Sequence, residues 1–247
     1  MAFFGGDLPL YQKKNPQFSE EFTQILESSV KILNQVGVIP VIIDMKPLGH
    51  DDYWAGYTDI FTLLAQENVR RYKEAGVKTI IVESAEAYRT WKFDYPAVVE
   101  DCDFAVFHLS QYLYHTGKYK KLKIDASISP SYTFADSSRL GRLGGGVYEE
   151  LRQILSKVSG AVLKEMDSNR QEAFDCGTGM YLEESEATTK LWHNMIEEIA
   201  ATHADYFITT SPKTLLYYSS IIMTKPYESR TMPIAKDWAV FLSQFLV

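Results

Sequence analysis

Cysteine is nearly absent from this 247-residue sequence: only Cys102 and Cys176 occur, in unrelated contexts. An iron–sulfur cluster normally takes about four thiolates from one chain, so none can be built here in the usual way. Two separated cysteines give no reason to expect a structural disulfide either. Basic charge is also in deficit. The 25 Lys and Arg face 32 Asp and Glu, a formal charge of -7, which argues against a nucleic-acid binder and against attraction to anionic lipid. No apolar run approaches the ~18 residues of a membrane span. The opening Met1–Asp7 stretch has neither a basic start nor a long apolar segment, so the expectation is a cytoplasmic protein with no signal peptide. Motifs of common chemistries are missing too. Gly144-Gly145-Gly146 is followed by no Gly-Lys-Ser or Gly-Lys-Thr and reads as a flexible connection; no Gly-x-Gly-x-x-Gly and no Gly-x-Ser-x-Gly elbow support a nucleotide or serine-hydrolase site.

What is present is core material. The 46% hydrophobic and 13% aromatic residues, with 23% charged, describe a folded globular chain rather than a disordered one. Short β-rich runs alternate with longer segments of helical period, the pattern of an α/β protein with parallel strands. Ala2–Phe4 reads as a strand. From Ser19, residues Phe22, Ile25, Leu26, Val30 and Leu33 form one helical stripe that Gly37 ends. Val38–Ile43 reads as a buried strand, Thr58–Ala75 as an amphipathic helix closed by Gly76, Thr79–Val82 and Ala105–His108 as further strands, and Leu109–Tyr114 as the start of a helix.

The second half repeats this order: strand Tyr132–Phe134, helix Val147–Lys157, strand Ala161–Lys164, helix Glu186–Ala201, strand Tyr206–Thr209, then a strand and a helix. The repetition reaches individual residues. Glu74–Ser84 aligns with Ala201–Ser211 at an offset of 127 residues, and Leu109-Ser110-Gln111-Tyr112-Leu113 matches Leu242-Ser243-Gln244-Phe245-Leu246. The expected architecture is two similar tandem domains, 1–122 and 123–247, each a mostly parallel sheet flanked by helices and related as an internal pseudo-twofold repeat. The basic stretch Lys118–Lys123 reads as a solvated linker between them rather than a nucleic-acid patch.

Several motifs together resemble the B subunit of heterodisulfide reductase and its relatives with cysteine-rich CCG domains. Thr133-Phe134-Ala135-Asp136-Ser137-Ser138-Arg139-Leu140-Gly141-Arg142 is similar to the family's Thr-Tyr-His-Asp-Ser-Cys-Arg-Leu-Gly-Arg. Asp175-Cys176-Gly177 stands where the family has Cys-Cys-Gly, and Ser211-Pro212-Lys213-Thr214 where it has Cys-Pro-x-Cys. In the first half, Gly6-Asp7, Pro47-Leu48-Gly49 and Ser84-Ala85-Glu86-Ala87-Tyr88-Arg89-Thr90 occupy the matching places. The resemblance implies clefts that in the family hold unusual fused iron–sulfur units on cysteines. Here Asp7, Pro47, Leu48, Ser84 and Ala87 replace the first set, and Ser138, Asp175, Ser211 and Thr214 replace all but Cys176 of the second. Ala135 replaces the family histidine. Oxygen donors suit such clusters poorly, so no iron–sulfur cluster and no other cofactor is expected.

Asp7, Gly49, His50, Ser84, Ala87, Ser138, Asp175, Cys176, Gly177, Ser211 and Thr214 therefore mark vestigial cleft positions, with no catalytic or metal residue assigned. His50 with Asp7, Asp51 and Asp52 could hold a metal, but capping by the two aspartates is favoured. Asp136 and Asp175 beside Cys176 could do acid–base work; a buried, inert thiol is the preferred reading. His193 and Glu197 read as a surface pair. The function expected is that of a non-catalytic, interaction-bearing subunit of a heterodisulfide-reductase-like complex. Its partners by resemblance are a cluster-bearing B-type subunit, a ferredoxin-like C-type subunit and a flavoprotein A-type subunit, or a second copy of the chain. The alternative is a small-molecule or metal-dependent enzyme or binding protein reusing the emptied clefts.

Overall fold

The structure is a computed structural model that describes residues 1–125, 129–174, 185–223, 227 and 230–247. The first half runs β1 (Ala2–Phe4), α1 (Leu8–Lys14), α2 (Ser19–Gln35), β2 (Val41–Ile42), α3 (His50–Trp54), α4 (Thr58–Glu74), β3 (Thr79–Val82), α5 (Ala85–Arg89), β4 (Ala105–His108) and α6 (Leu109–His115). The second runs β5 (Ser131–Phe134), α7 (Glu149–Leu155), β6 (Val162–Leu163), α8 (Glu186–Ala201), β7 (Tyr206–Thr209), α9 (Pro212–Ile221), β8 (Ile234–Asp237) and α10 (Trp238–Ser243). Each half forms a four-stranded parallel sheet, ordered β2-β1-β3-β4 and β6-β5-β7-β8. The two halves are thus similar α/β units, and their registers correspond: Val82 pairs with His108 as Thr209 pairs with Asp237.

Local chemistry explains the long helices. In α2 the buried Phe22, Ile25, Ile32 and Leu33 lie on one stripe, and Glu20 and Glu21 sit in the first turn, where the helix dipole favours negative charge. Gly37 then takes φ +76, a backbone conformation that other residues adopt at a cost. In α4 the buried face is Phe61, Ala65, Val69 and Tyr72, with Arg71 and Lys73 in the last turn. Ser185 and Thr188 form a capping box at the start of α8.

The hydrophobic core does not stop at the middle of the chain. Phe3, Ile81 and Leu109 belong to the same buried cluster as Tyr132, Ile208, Trp238 and Phe241. Around it α2 packs on α10 and α6 on α7, so each half lends a helix to the other in the same way. The stretch read as a solvated linker is drawn into this packing: Lys118–Lys121 is a 3-10 turn, Leu122 is buried, and Ile124 bridges to Leu246.

Other expectations change as well. The strand expected over Val38–Ile43 shrinks to Val41–Ile42 and is exposed, because it lies at the sheet edge rather than between two strands. The triple glycine is a tight turn, not a loose connection, since a Cβ at Gly144 would lie 2.1 Å from the Arg139 carbonyl oxygen. His193 and Glu197 do not pair: His193 Nδ1 meets the Tyr227 hydroxyl at 2.5 Å and Glu197 binds Arg230 at 2.8 Å. Because one core serves both sheets, Phe241→Ala should cost about 3–5 kcal/mol. Urea unfolding followed separately by tryptophan fluorescence and far-UV circular dichroism should shift as one transition; a variant in which only half of the helical signal is lost early would contradict the shared core.

Candidate functional site

The two halves meet where β3 and β7 turn into α5 and α9. Ser84 ends the first turn and its Oγ accepts from the Ala87 N–H at 3.2 Å; Ser211 does the same for the Thr214 N–H at 3.3 Å. Both are N-caps, the arrangement that short polar side chains favour at helix starts. The two caps touch across the pseudo-twofold relation. Ala85 N–H donates to the Thr210 carbonyl at 3.0 Å, and Ser211 Oγ donates to Glu86 Oε1 at 2.5 Å. Pro212 has no N–H to return the first bond, and the Glu83 carbonyl instead accepts from His108 Nε2 at 2.9 Å.

The remaining positions singled out from sequence are distributed around this junction. Asp7 Oδ1 accepts from the Leu48 N–H at 2.8 Å, and the Ser84 Oγ lies 3.4 Å from where a Cβ would stand on Gly6, so the Asp7, Leu48 and Ser84 positions come together. The Leu48 carbonyl accepts from the Tyr95 hydroxyl at 2.9 Å, and the Pro47 carbonyl from Asn68 at 3.2 Å. Gly49 precedes α3 at φ +73, with Leu64 and Phe61 so close that a Cβ would sit 3.0 and 3.2 Å from them. Ala87 is wholly buried in apolar packing. His50, Ser138, Ser211 and Thr214 line one narrow cleft together with Glu86, Arg139 and Lys213. Asp175, Cys176 and Gly177 lie outside the described residues.

Charge in the cleft is paired inward. Lys213 is 2% exposed and forms an ion pair with Asp51. Arg139 lies 4.2 Å over the Trp54 ring; its Nη1 donates to Ser138 Oγ at 3.2 Å and its Nε to His50 Nε2 at 3.3 Å. With Nε2 accepting, His50 donates from Nδ1 to Thr90 Oγ1 at 2.8 Å. Burial, then the nearby Lys213, Arg139 and Arg89 cations, hold His50 well below the usual histidine range, so the ring is neutral with both nitrogens engaged. Asp136 is held by Arg152 through two contacts of 2.8 and 2.7 Å. Asp51, Asp136 and His50 thus spend their donors and acceptors on structure, and among the described residues no group of three His, Cys, Asp or Glu side chains is placed to hold a metal ion.

Behind the cleft lies a set of buried titratable groups that sequence reasoning missed. Glu83 is 1% exposed with no well-formed hydrogen bond to either carboxyl oxygen; burial first, and then the neighbouring Asp237, Glu86 and Asp7, push its pKa far up, so it is protonated near neutrality. His108 and Asp237 occupy equivalent places as N-caps of α6 and α10. Burial lowers His108 to about 4 and raises Asp237 to about 7, against the opposing pull of backbone N–H groups on the latter. Asp7 is likewise raised to about 6 by burial, partly offset by the Leu48 N–H. The sequence signal was the repeat itself: Glu83 and Thr210, and His108 and Asp237, each stand at the carboxyl end of an aligned strand just before a helix.

These shifts set a pH dependence with a defined sign. An unfolded Asp237 loses its proton near pH 4 and the folded one near 7, so this group makes stability fall as pH rises between those values. Asp237→Asn keeps the cap acceptor and removes the titration. The variant should gain stability relative to the native protein across about pH 4 to 7 and hold a constant difference above it; a difference independent of pH in urea titrations would contradict the burial of this charge.

The described residues at the positions that the motif resemblance marks as ligand sites do not fit an iron–sulfur cluster. Asp7, Ser84, Ser138 and Ser211 offer oxygen, each already hydrogen-bonded inside the fold, Ala87 and Leu48 offer nothing, and Cys176 is the only cysteine at any of these positions. Comparison with known proteins finds similarity to oxidoreductases. Residues 133–214 match the family of the cysteine-rich CCG domain. The chain is 26% identical over 198 residues to the D subunit of dihydromethanophenazine:CoB–CoM heterodisulfide reductase from Methanosarcina mazei, covering 75% of this chain and 47% of that one. It is 27% identical over 219 residues to EtfAB:quinone oxidoreductase from Syntrophomonas wolfei, covering 84% and 29%. It thus spans about half, or less, of the length of these relatives. Among solved structures, glutamate racemase from Aquifex pyrophilus aligns over 98% of this chain and 80% of its own at 15% identity and a TM-score of 0.38, too low to bear on the reading. With the two motif-bearing helix starts in place and the matches spread over most of the chain, this protein is homologous to the heterodisulfide reductase D subunit, and its residues 133–214 match the cysteine-rich CCG domain although the chain holds only two cysteines.

Proposed function

We propose that this chain is a non-catalytic, cofactor-free subunit of a heterodisulfide-reductase-like redox assembly, retained for its shape and its contacts. One observation carries the reading: the polar residues described at former ligand positions are built into the fold as caps and cross-links, and the apolar ones as packing. A site kept open for a metal cluster would leave donors converging on an empty space. Here Ser84 and Ser211 satisfy helix N–H groups, and the cleft beside them is closed by Arg139 stacked on Trp54 and Lys213 paired with Asp51. Asp7, Gly49, His50, Ser84, Ala87, Ser138, Ser211 and Thr214, with Asp175, Cys176 and Gly177, are in this reading vestiges of two CCG units, residues 1–122 and 123–247.

The relatives supply the kind of assembly. The Methanosarcina protein is by name one subunit of a reductase, and the quinone oxidoreductase is a longer chain than this one. The partners proposed are accordingly cluster-bearing, ferredoxin-like and flavoprotein subunits, with a second copy as the alternative. No helix among the described residues is long and apolar enough to cross a membrane. The experiment is purification from the native source without oxygen, followed by mass spectrometry and by iron and sulfide analysis of the isolated chain. The expected result is co-elution with redox subunits and an isolated chain free of stoichiometric iron. Stoichiometric iron with sulfide, or turnover of a small substrate by the chain alone, would overturn the proposal.

A further inference from the structure

Strand β2 closes one side of the first sheet, and three consecutive non-proline positions around it expose large apolar side chains: Ile39 is 90%, Val41 54% and Ile42 64% exposed. Successive strand residues point to opposite faces of a sheet. Ile42 and Ile43 line a groove of about 1170 Å³ beside helices α1 and α2, whose apolar walls include Leu10, Leu26 and Val30; the exposed Val41 does not line it. A small molecule seated in the groove, or a helix laid into it, would cover Ile42 and leave Val41 in water. Only an element running along the strand's edge covers both, and such an edge also offers unpaired backbone groups.

The edge available for pairing is short and defined. The Val41 N–H already donates to the Met1 carbonyl of β1 at 3.1 Å, Pro40 has no N–H to donate, and the Asp44 carbonyl is taken by Arg71 at 3.2 Å, so the outward edge consists of Ile42 with the Pro40 carbonyl and the Asp44 N–H. Charge then decides what pairs there. Lys13, at the end of α1, and Lys46, after β2, both border the groove and make no ion pair among the described residues. Lys31 on α2 reaches the Ser243 carbonyl at 3.2 Å, Asp44 is held by Arg71 at 3.2 Å, and Glu27 is the one opposing charge of the rim without a partner among the described residues. The lining thus carries Lys13, Lys31 and Lys46 against Glu27, Asp44 and Asp7; with Asp44 paired to Arg71 and Asp7 buried on the Leu48 N–H, the exposed balance around this apolar edge is cationic in a chain of net charge -7. A second copy would bring these lysines towards one another, whereas an acidic segment would meet them.

We propose that the edge of β2 takes up an extended segment of a partner protein as a fifth strand, apolar in its middle and carrying Asp or Glu at its ends. This surface is separate from the cleft between the halves and does not depend on the loss of the cluster. Iron analysis tests that loss, and peptide binding tests this edge.

The probe is a fluorescein-labelled peptide of alternating valine and isoleucine flanked by glutamates, added to the full chain. Its controls are the same peptide flanked by lysines and one with a central proline. Saturable binding is expected for the glutamate peptide, weaker by about tenfold or more for the lysine peptide, and absent for the proline peptide, with amide exchange slowed at Ile42 and Asp44. Ile42→Asp, at an exposed position that the fold does not need, should abolish binding, and Lys13→Glu with Lys46→Glu should reverse the charge preference. The proposal is overturned if no probe saturates, if charge makes no difference, or if protection appears only on α1 and α2. A concentration-dependent homodimer that Ile42→Asp dissolves would overturn it as well, by assigning the edge to a second copy.

Discussion

The contact between two helix starts organises this protein. Ser84 and Ser211 each cap the helix that follows a central strand, and the caps are tied to one another by the Ala85 N–H on the Thr210 carbonyl and by Ser211 on Glu86. Each bond satisfies a backbone or side-chain group that has no water to turn to, so each is costly to remove rather than strongly stabilising to add. Because the contact relates equivalent points of the two halves, it fixes how the sheets face one another, and the shared core of Phe3, Ile81, Tyr132, Ile208 and Trp238 follows from that placement.

Burying this junction has an electrostatic consequence. Charges that cannot reach water must be paired or neutralised, and both solutions occur within a few residues. Arg152 with Asp136 and Lys213 with Asp51 are paired, while Glu83 keeps its proton and His50 and His108 do without one. A histidine with both nitrogens bonded is a structural strut. His50, Asp51 and Asp136, the groups the sequence offered for a metal or for acid–base work, are thus committed to hydrogen bonds and ion pairs inside the fold, which is the physical content of the cofactor-free proposal.

The repeat made much of the fold legible. Strands β3, β4 and β7 and helix α8 fall where the residue pattern places them, because β3 and β7 are short continuous apolar runs, α8 carries a helical stripe of buried residues, and each is followed or preceded by a cap. Helices α1 and α9 were not expected from the sequence; Pro9 and Pro212 stand in their first turns, where proline is well accommodated. The exposure of β2 was illegible because edge and centre positions share one apolar composition. At the site, the positions of Ser84, Ser138 and Ser211 were legible from the motif, but their duties were not: capping depends on dihedral angles and burial on the opposite half. Glu83, His108 and Asp237 were missed for the same reason, since nothing local tells a buried carboxyl from a solvated one.

Ser84 and Ser211, at positions where the motif resemblance expects cluster cysteines, work as helix caps, and the direct measurement is the unfolding free energy of Ser84→Cys and Ser211→Cys beside Ser84→Ala and Ser211→Ala, under reducing conditions and without iron. A sulfur or a methyl group replaces the cap oxygen poorly, so each of the four variants should lose about 1 kcal/mol, with Ser211 variants losing more because Glu86 also loses its donor. Cysteine variants as stable as the native protein, or stabilised by added iron and sulfide, would contradict the account and return these positions to a metal-binding role.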